Sequence, residues 1–138
     1  MRPSWDQYFS ELARVAATRS TCPRRQVGCV LVRERTVIAT GYNGSLRGMP
    51  HCDEAGCAVK GGCTRTIHAE ANAIYQAART GAALDGSTAY VTTMPCVECM
   101  KALLQVGVVK VVYAEEYRDG TASDMAAAAG VQMEKVMS

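Results

Sequence analysis

A chain of 138 residues, 49% of them apolar, has the length of one domain (1–138) and can bury a core without disulfide staples. No unbroken apolar run approaches the length of a membrane span, and no Lys/Arg block marks a nucleic-acid-binding arm, so a soluble globular protein without membrane or nucleic-acid partners is expected. The net charge of +2 is unevenly spread: residues 1–79 hold 11 Lys/Arg against 6 Asp/Glu, and residues 80–138 hold 4 against 7, which suits either an anionic substrate such as a nucleotide phosphate facing the first half or simply scattered, solvated arginines.

Ser4 with Gln7 three residues on forms a capping box, and Trp5, Phe9, Leu12 and Ala16 recur at helical spacing. A first helix is therefore predicted from Trp5 to Arg19, with this aromatic stripe in the core. No basic-then-apolar leader precedes it, which predicts a cytoplasmic protein. Thr21-Cys22-Pro23-Arg24-Arg25 breaks the helix. Gln26–Val32 and Thr36–Tyr42 follow as two strands joined by the polar turn Arg33-Glu34-Arg35, a predicted antiparallel hairpin. Asn43–Arg65 is a long irregular segment rich in glycine, with three cysteines and a histidine; loops of this length are commonly functional or tied down.

Helix returns from His68 to Arg79 and stops at Gly81. Ser87–Thr93 is read as a third strand, and Cys96–Val106 as a third helix led by Pro95 and ended by Gly107. Val108–Tyr113 is predicted as a strand buried on both faces, followed by a short helix over Ser123–Ala129 and a last strand over Val131–Val136. The order α-β-β-α-β-α-β-α-β implies a mixed five-stranded sheet with helices on both faces, a three-layer α/β/α sandwich.

Seven cysteines, an odd and clustered set, point to metal ligation more than to a disulfide framework. His68, Cys96 and Cys99 offer one imidazole and two thiolates, and three protein ligands leave one tetrahedral position of a zinc ion open for water. Cys96 and Cys99 share a face at a helix start, where the helix dipole favours thiolates. Residues two apart in a helix diverge by about 200°, so His68 and Glu70 can approach one metal only at the helix end. His-x-Glu followed by Pro-Cys-x-x-Cys is the general pattern of zinc deaminases acting on nucleobases. In that chemistry zinc lowers the pKa of water from about 16 to about 7, and the glutamate, here Glu70, carries protons to the ring nitrogen and the leaving amine. Cys-x-x-Cys alone would suit a zinc knuckle or a redox pair. The upstream His-Ala-Glu and the proline favour the deaminase, and Cys29, between Gly28 and Val30, is read as core.

Beyond this pattern the chain resembles the deoxycytidylate (dCMP) deaminases of the cytidine deaminase superfamily. The resemblance runs from about Ser20 to Tyr113 and rests on His68-Ala69-Glu70-Ala71-Asn72-Ala73-Ile74, on Tyr90–Cys99, and on Gly41-Tyr42-Asn43-Gly44 with His51-Cys52. It implies a cytidine deaminase-like fold and zinc-dependent hydrolysis of dCMP to dUMP and ammonia, supplying the thymidylate precursor. It further implies contact of Asn43 with the nucleotide, of the Ala69 amide with the base carbonyl, and of Tyr117 with the ligand; Arg24 and Arg25 are placed to meet the phosphate or simply to be solvated. Several relatives hold a second, structural zinc, and the resemblance assigns Cys22 and Cys52 to it; its other ligands vary among relatives, so Cys57 and Cys63 are taken by elimination, with His51 as a substitute, the alternative being unrelated free thiols. Relatives are commonly hexamers activated by dCTP and inhibited by dTTP, with Mg2+ accompanying the nucleotide effector. Two alternatives stay open: deamination of a modified dCMP or of adenosine in RNA, and a non-catalytic zinc-stabilised binding protein.

Overall fold

The computed structural model describes residues 1–22, 24–50, 66–116 and 120–136. Helix α1 spans Trp5–Ala17 and opens with the expected capping box: the Gln7 amide donates to Ser4 Oγ (3.1 Å) and the Ser4 amide to Gln7 Oε1 (2.9 Å). Its buried stripe is Phe9, Ala13 and Ala17. Trp5, expected in the core, is instead 50% exposed. It stacks on Phe9 at 5.7 Å, and the Arg35 guanidinium lies 5.0 Å from its ring centroid. The helix ends two residues before Arg19, where the amides of Thr18 and Arg19 turn back to the carbonyls of Val15 and Ala16.

Strands β1 (Gly28–Arg33) and β2 (Thr36–Tyr42) form the expected antiparallel hairpin. Its two-residue turn places both Glu34 (φ 53°) and Arg35 (φ 59°) in the left-handed region, as a type I′ turn demands. Two short strands that the sequence did not signal, β3 (Gly44–Ser45) and β4 (Thr66–Ile67), pair antiparallel across the glycine-rich segment. Two residues are too few to show periodicity. Helix α2 (Ala69–Thr80), β5 (Thr88–Thr93), helix α3 (Val97–Gln105), β6 (Lys110–Glu115), helix α4 (Thr121–Ala128) and β7 (Gln132–Lys135) complete the order. Gly81 caps α2 in the left-handed region (φ 77°).

The five-stranded sheet runs β2-β1-β5-β6-β7, antiparallel on either side of β1 and parallel from β5 to β7. Alternation along β1 divides the core: Val30 and Val32 join Phe9, Ala13 and Tyr90 beneath α1, whereas Cys29 and Leu31 join the layer formed with α2, α3 and α4. Helices thus cover both faces, and the fold is the α/β/α sandwich with a mixed five-stranded sheet. In β6 only Val111 and Val112 are fully buried; Ala114 and Glu115 are exposed. The strand starts at Lys110 because the Val108 amide still donates to Leu103 O (3.1 Å) and closes the end of α3. No helix among the described residues is long and apolar enough to cross a membrane.

Candidate active site

The two helix starts supply the chemistry. His68 is the N-cap of α2 and keeps extended backbone angles (φ −65°, ψ 153°), so it stands outside the helix while Glu70 occupies the second helical position. That placement lets both side chains face one point despite their separation of two. Cys96 is likewise the N-cap of α3 (φ −70°, ψ 171°), and Cys99 lies one turn in. Neither cap side chain is spent on the helix amides, which leaves the imidazole and the thiol free for another partner.

Close packing fixes where α2 begins. A Cβ on Gly41 would lie 2.3 Å from Ala69 O and 2.5 Å from Ala73 N, so the first turn of α2 rests directly on the β2 backbone. Asn72 Nδ2 donates to Tyr42 O (2.7 Å), tying that turn to the end of β2. The β3–β4 ladder then delivers Ile67 immediately before His68.

The ligating atoms of His68, Cys96 and Cys99 all lie within 4.8 Å of one another. His68 Nδ1 is 3.3 Å from Cys99 Sγ and 3.6 Å from Cys96 Sγ. Zinc bonds of about 2.3 Å to sulfur and about 2.0–2.1 Å to nitrogen, spread at the tetrahedral angle, put N and S about 3.6 Å apart. The observed spacings and the one-nitrogen, two-sulfur donor set therefore fit Zn2+, with three protein ligands among the described residues.

Glu70 is 4% exposed and lies beside this triad. Burial holds its carboxyl above the usual carboxylate range, opposed by its own amide, the His68 ring, the Cys99 thiol and the Arg25 charge. Burial also pushes the Cys99 thiol well up, with the charges of Glu70 and Cys96 adding to it. Cys29 is fully buried, its thiol raised by burial and then by Glu70, in keeping with a core role.

A cleft of about 310 Å³ opens over these groups. His68, Glu70 and Cys96 form part of its lining, together with Ala69, Asn43, Cys22 and both Arg24 and Arg25. Ala69 is the first residue of α2, so its amide is one of the helix donors without an intrahelical acceptor.

The family described as "Cytidine and deoxycytidylate deaminase zinc-binding region" matches residues 3–115. The chain belongs to this family. It is 46% identical over 137 residues to "ComE operon protein 2" of Bacillus subtilis, covering 98% of this chain and 72% of that protein. It is also 46% identical to the deoxycytidylate deaminase of Saccharomyces cerevisiae, covering 86% of this chain but only 40% of the yeast protein. Among solved structures, the dCMP deaminase of cyanophage S-TIM5 in complex with dCMP and dUMP superposes with a TM-score of 0.87 at 32% identity, covering 99% of each chain.

Of the site residues expected from sequence, the fold of this deaminase family member brings together His68, Cys96, Cys99, Glu70, Ala69, Asn43 and Cys22. Tyr117, His51, Cys52, Cys57 and Cys63 lie outside the described residues. Sequence reasoning gave no role to Asn72, nor to Val27, Thr66, Thr93 and Met94, which also line the cleft. Asn72, Thr93 and Met94 lie inside the quoted motifs without a role of their own, and Val27 and Thr66 lie beside them; contacts that shape this wall span large separations, such as the Gly28 amide donating to Thr92 Oγ1 (3.1 Å).

Proposed function

We propose that this protein hydrolyses the exocyclic amine of dCMP, giving dUMP and ammonia. The observation that carries the reading is the His68/Cys96/Cys99 triad with a buried carboxyl, Glu70, beside it on a cleft bordered by two arginines. His68, Cys96 and Cys99 would hold a zinc ion, which would lower the pKa of water toward about 7. Glu70 takes one proton from the attacking water as its oxygen bonds to C4 and delivers it to the pyrimidine N3, then carries the second proton of that water to the amine, which leaves as ammonia as the C4–N bond breaks. The Ala69 amide orients the base by donating to the 2-carbonyl. Arg24 and Arg25 face the 5′-phosphate, Asn43 borders the cleft beside them, and the resemblance assigns Tyr117 to the ligand. The similarity to a deaminase solved with dCMP and dUMP supports the same substrate class.

To this reading belong three further expectations from the resemblance: a second structural zinc on Cys22, Cys52, Cys57 and Cys63, with His51 as a substitute ligand; a hexamer; and activation by dCTP with Mg2+ and inhibition by dTTP. Zinc stoichiometry, sedimentation and dCMP turnover with and without each effector test them separately. The substrate is tested by comparing ammonia release from dCMP, deoxycytidine, dCTP and an unmodified tRNA. Turnover chiefly of dCMP is expected, and activity confined to the tRNA would overturn the proposal.

A further inference from the structure

Asn43 sits between β2 and β3, is 7% exposed, and forms part of the cleft wall. Its side chain is committed to the backbone of the opposite wall. Asn43 Oδ1 accepts from the Val27 amide (2.8 Å), Nδ2 donates to Arg25 O (2.7 Å), and the Asn43 amide donates to Val27 O (3.2 Å). Three hydrogen bonds therefore join one residue to the stretch 25–27. That stretch lies between the end of α1 and the start of β1 and has no regular secondary structure of its own. A segment without a ladder or helix bonds depends on such side-chain partners to hold one conformation.

Arg25, whose carbonyl is held, is exposed and lines the same cleft as Glu70. An arginine side chain loses several freely rotating bonds when it binds an anion, so a fixed backbone beneath it lowers the entropy lost on binding. The geometry points to Asn43 as a positioning residue for phosphate selection: it clamps residues 25–27 so that Arg25 faces the 5′-phosphate of a nucleoside monophosphate. The inference rests on the substrate reading above and deepens it by separating recognition of the phosphate from recognition of the nucleoside. With Oδ1 and one Nδ2 hydrogen already engaged, Asn43 acts on the ligand mainly through the wall it holds.

The experiment is a double-mutant cycle read as substrate preference, the ratio of kcat/KM for dCMP to that for deoxycytidine. In Asn43→Ala the ratio falls roughly 10- to 100-fold, the range for losing one charge-assisted hydrogen bond. The loss lies in KM for dCMP and exceeds whatever loss deoxycytidine shows by that factor. In an Arg25→Ala background, adding Asn43→Ala lowers the ratio by no more than about twofold, because the two residues act as one unit. Asn43→Ser, too short to span both bonds but still polar, carries the same comparison if the alanine variant does not fold. Equal losses for both substrates in the variant with Arg25 present, or additive losses in the cycle, would overturn the inference while leaving dCMP as the substrate. A wild-type enzyme indifferent to the 5′-phosphate would overturn the substrate reading and the inference with it.

Discussion

Replacing Gly41 with alanine tests whether the site depends on the seating of α2. The added Cβ would meet Ala69 O at 2.3 Å, Ala73 N at 2.5 Å and Ala73 Cα at 3.1 Å, where ordinary contact begins at 3.4 Å. All three atoms are helix backbone, so no side-chain rotation relieves the clash and α2 must lift by about 1 Å, an overpacking that costs about 1–3 kcal/mol. For a chain of this size that corresponds to a Tm lowered by roughly 3–15 °C. His68, Ala69 and Glu70 ride on the displaced turn. A misplacement of about 1 Å in a reacting group costs about 100-fold in rate, so kcat for dCMP is expected to fall at least that far. Gly81→Ala is the matched control. Gly81 has φ 77°, no atom within 4 Å of its Cβ position, and lies at the opposite end of α2. Its left-handed backbone makes alanine cost about 1–2 kcal/mol with no effect on the chemistry. Thermal unfolding and ammonia release measured on both variants decide the matter. A Gly41→Ala protein with unchanged Tm and turnover, or a Gly81→Ala protein equally inactive, would refute the reasoning.

Glu70→Gln keeps the shape of the buried side chain but removes its proton-carrying capacity; turnover is expected to fall about 10²- to 10⁴-fold with zinc content retained. Zinc loss in that variant would instead make Glu70 part of the metal site. Cys99→Ser, or a chelator, is expected to abolish turnover and lower Tm, and added Zn2+ should restore the chelated wild type but not the variant; activity surviving metal removal would refute the zinc reading. At alkaline pH the clustered Tyr90, Asp6, Lys110 and Glu134 become decisive. Tyr90 Oη donates to Asp6 Oδ1 (2.7 Å), and Lys110 Nζ lies 2.8 Å from Glu134 and 3.3 Å from Asp6. Burial, then Asp6, raises the Tyr90 pKa, and Glu134, then Asp6, raises that of Lys110. Both protonated forms are thus favoured on folding, so their contribution is complete below the ordinary values of 10.0 and 10.5 and is lost as pH climbs beyond them. Urea unfolding followed from pH 8 to 12 should show stability falling above about pH 10, less steeply in Tyr90→Phe. An identical slope in that variant would remove Tyr90 from the account.

What the sequence made legible and what it left hidden divide along the range of the interactions involved. Ser4 and Gln7 revealed the start of α1 because a capping box is complete within four residues. Cys96 and Cys99 were readable for the same reason: their spacing alone puts both thiols on one helix face, and His68 with Glu70 required only that the helix begin between them. Trp5 misled because helical spacing says which residues share a face, whereas burial depends on what lies opposite that face. The cleft wall had no local signal. Asn43 reaches Val27 across 16 residues, Asn72 reaches Tyr42 across 30, and Gly28 reaches Thr92 across 64. Gly41 was visible as part of a turn motif, but its contact with Ala69 belongs to the packing of β2 against α2. The residues proposed as metal donors and proton carrier are therefore set by two short local motifs. The shape around them depends on long-range hydrogen bonds to a segment without regular structure. On the inference above, a change at Asn43 alters the preference for a 5′-phosphate while the triad stays intact, whereas a change at Gly41 moves the first turn of α2 and disturbs the chemistry for every substrate at once.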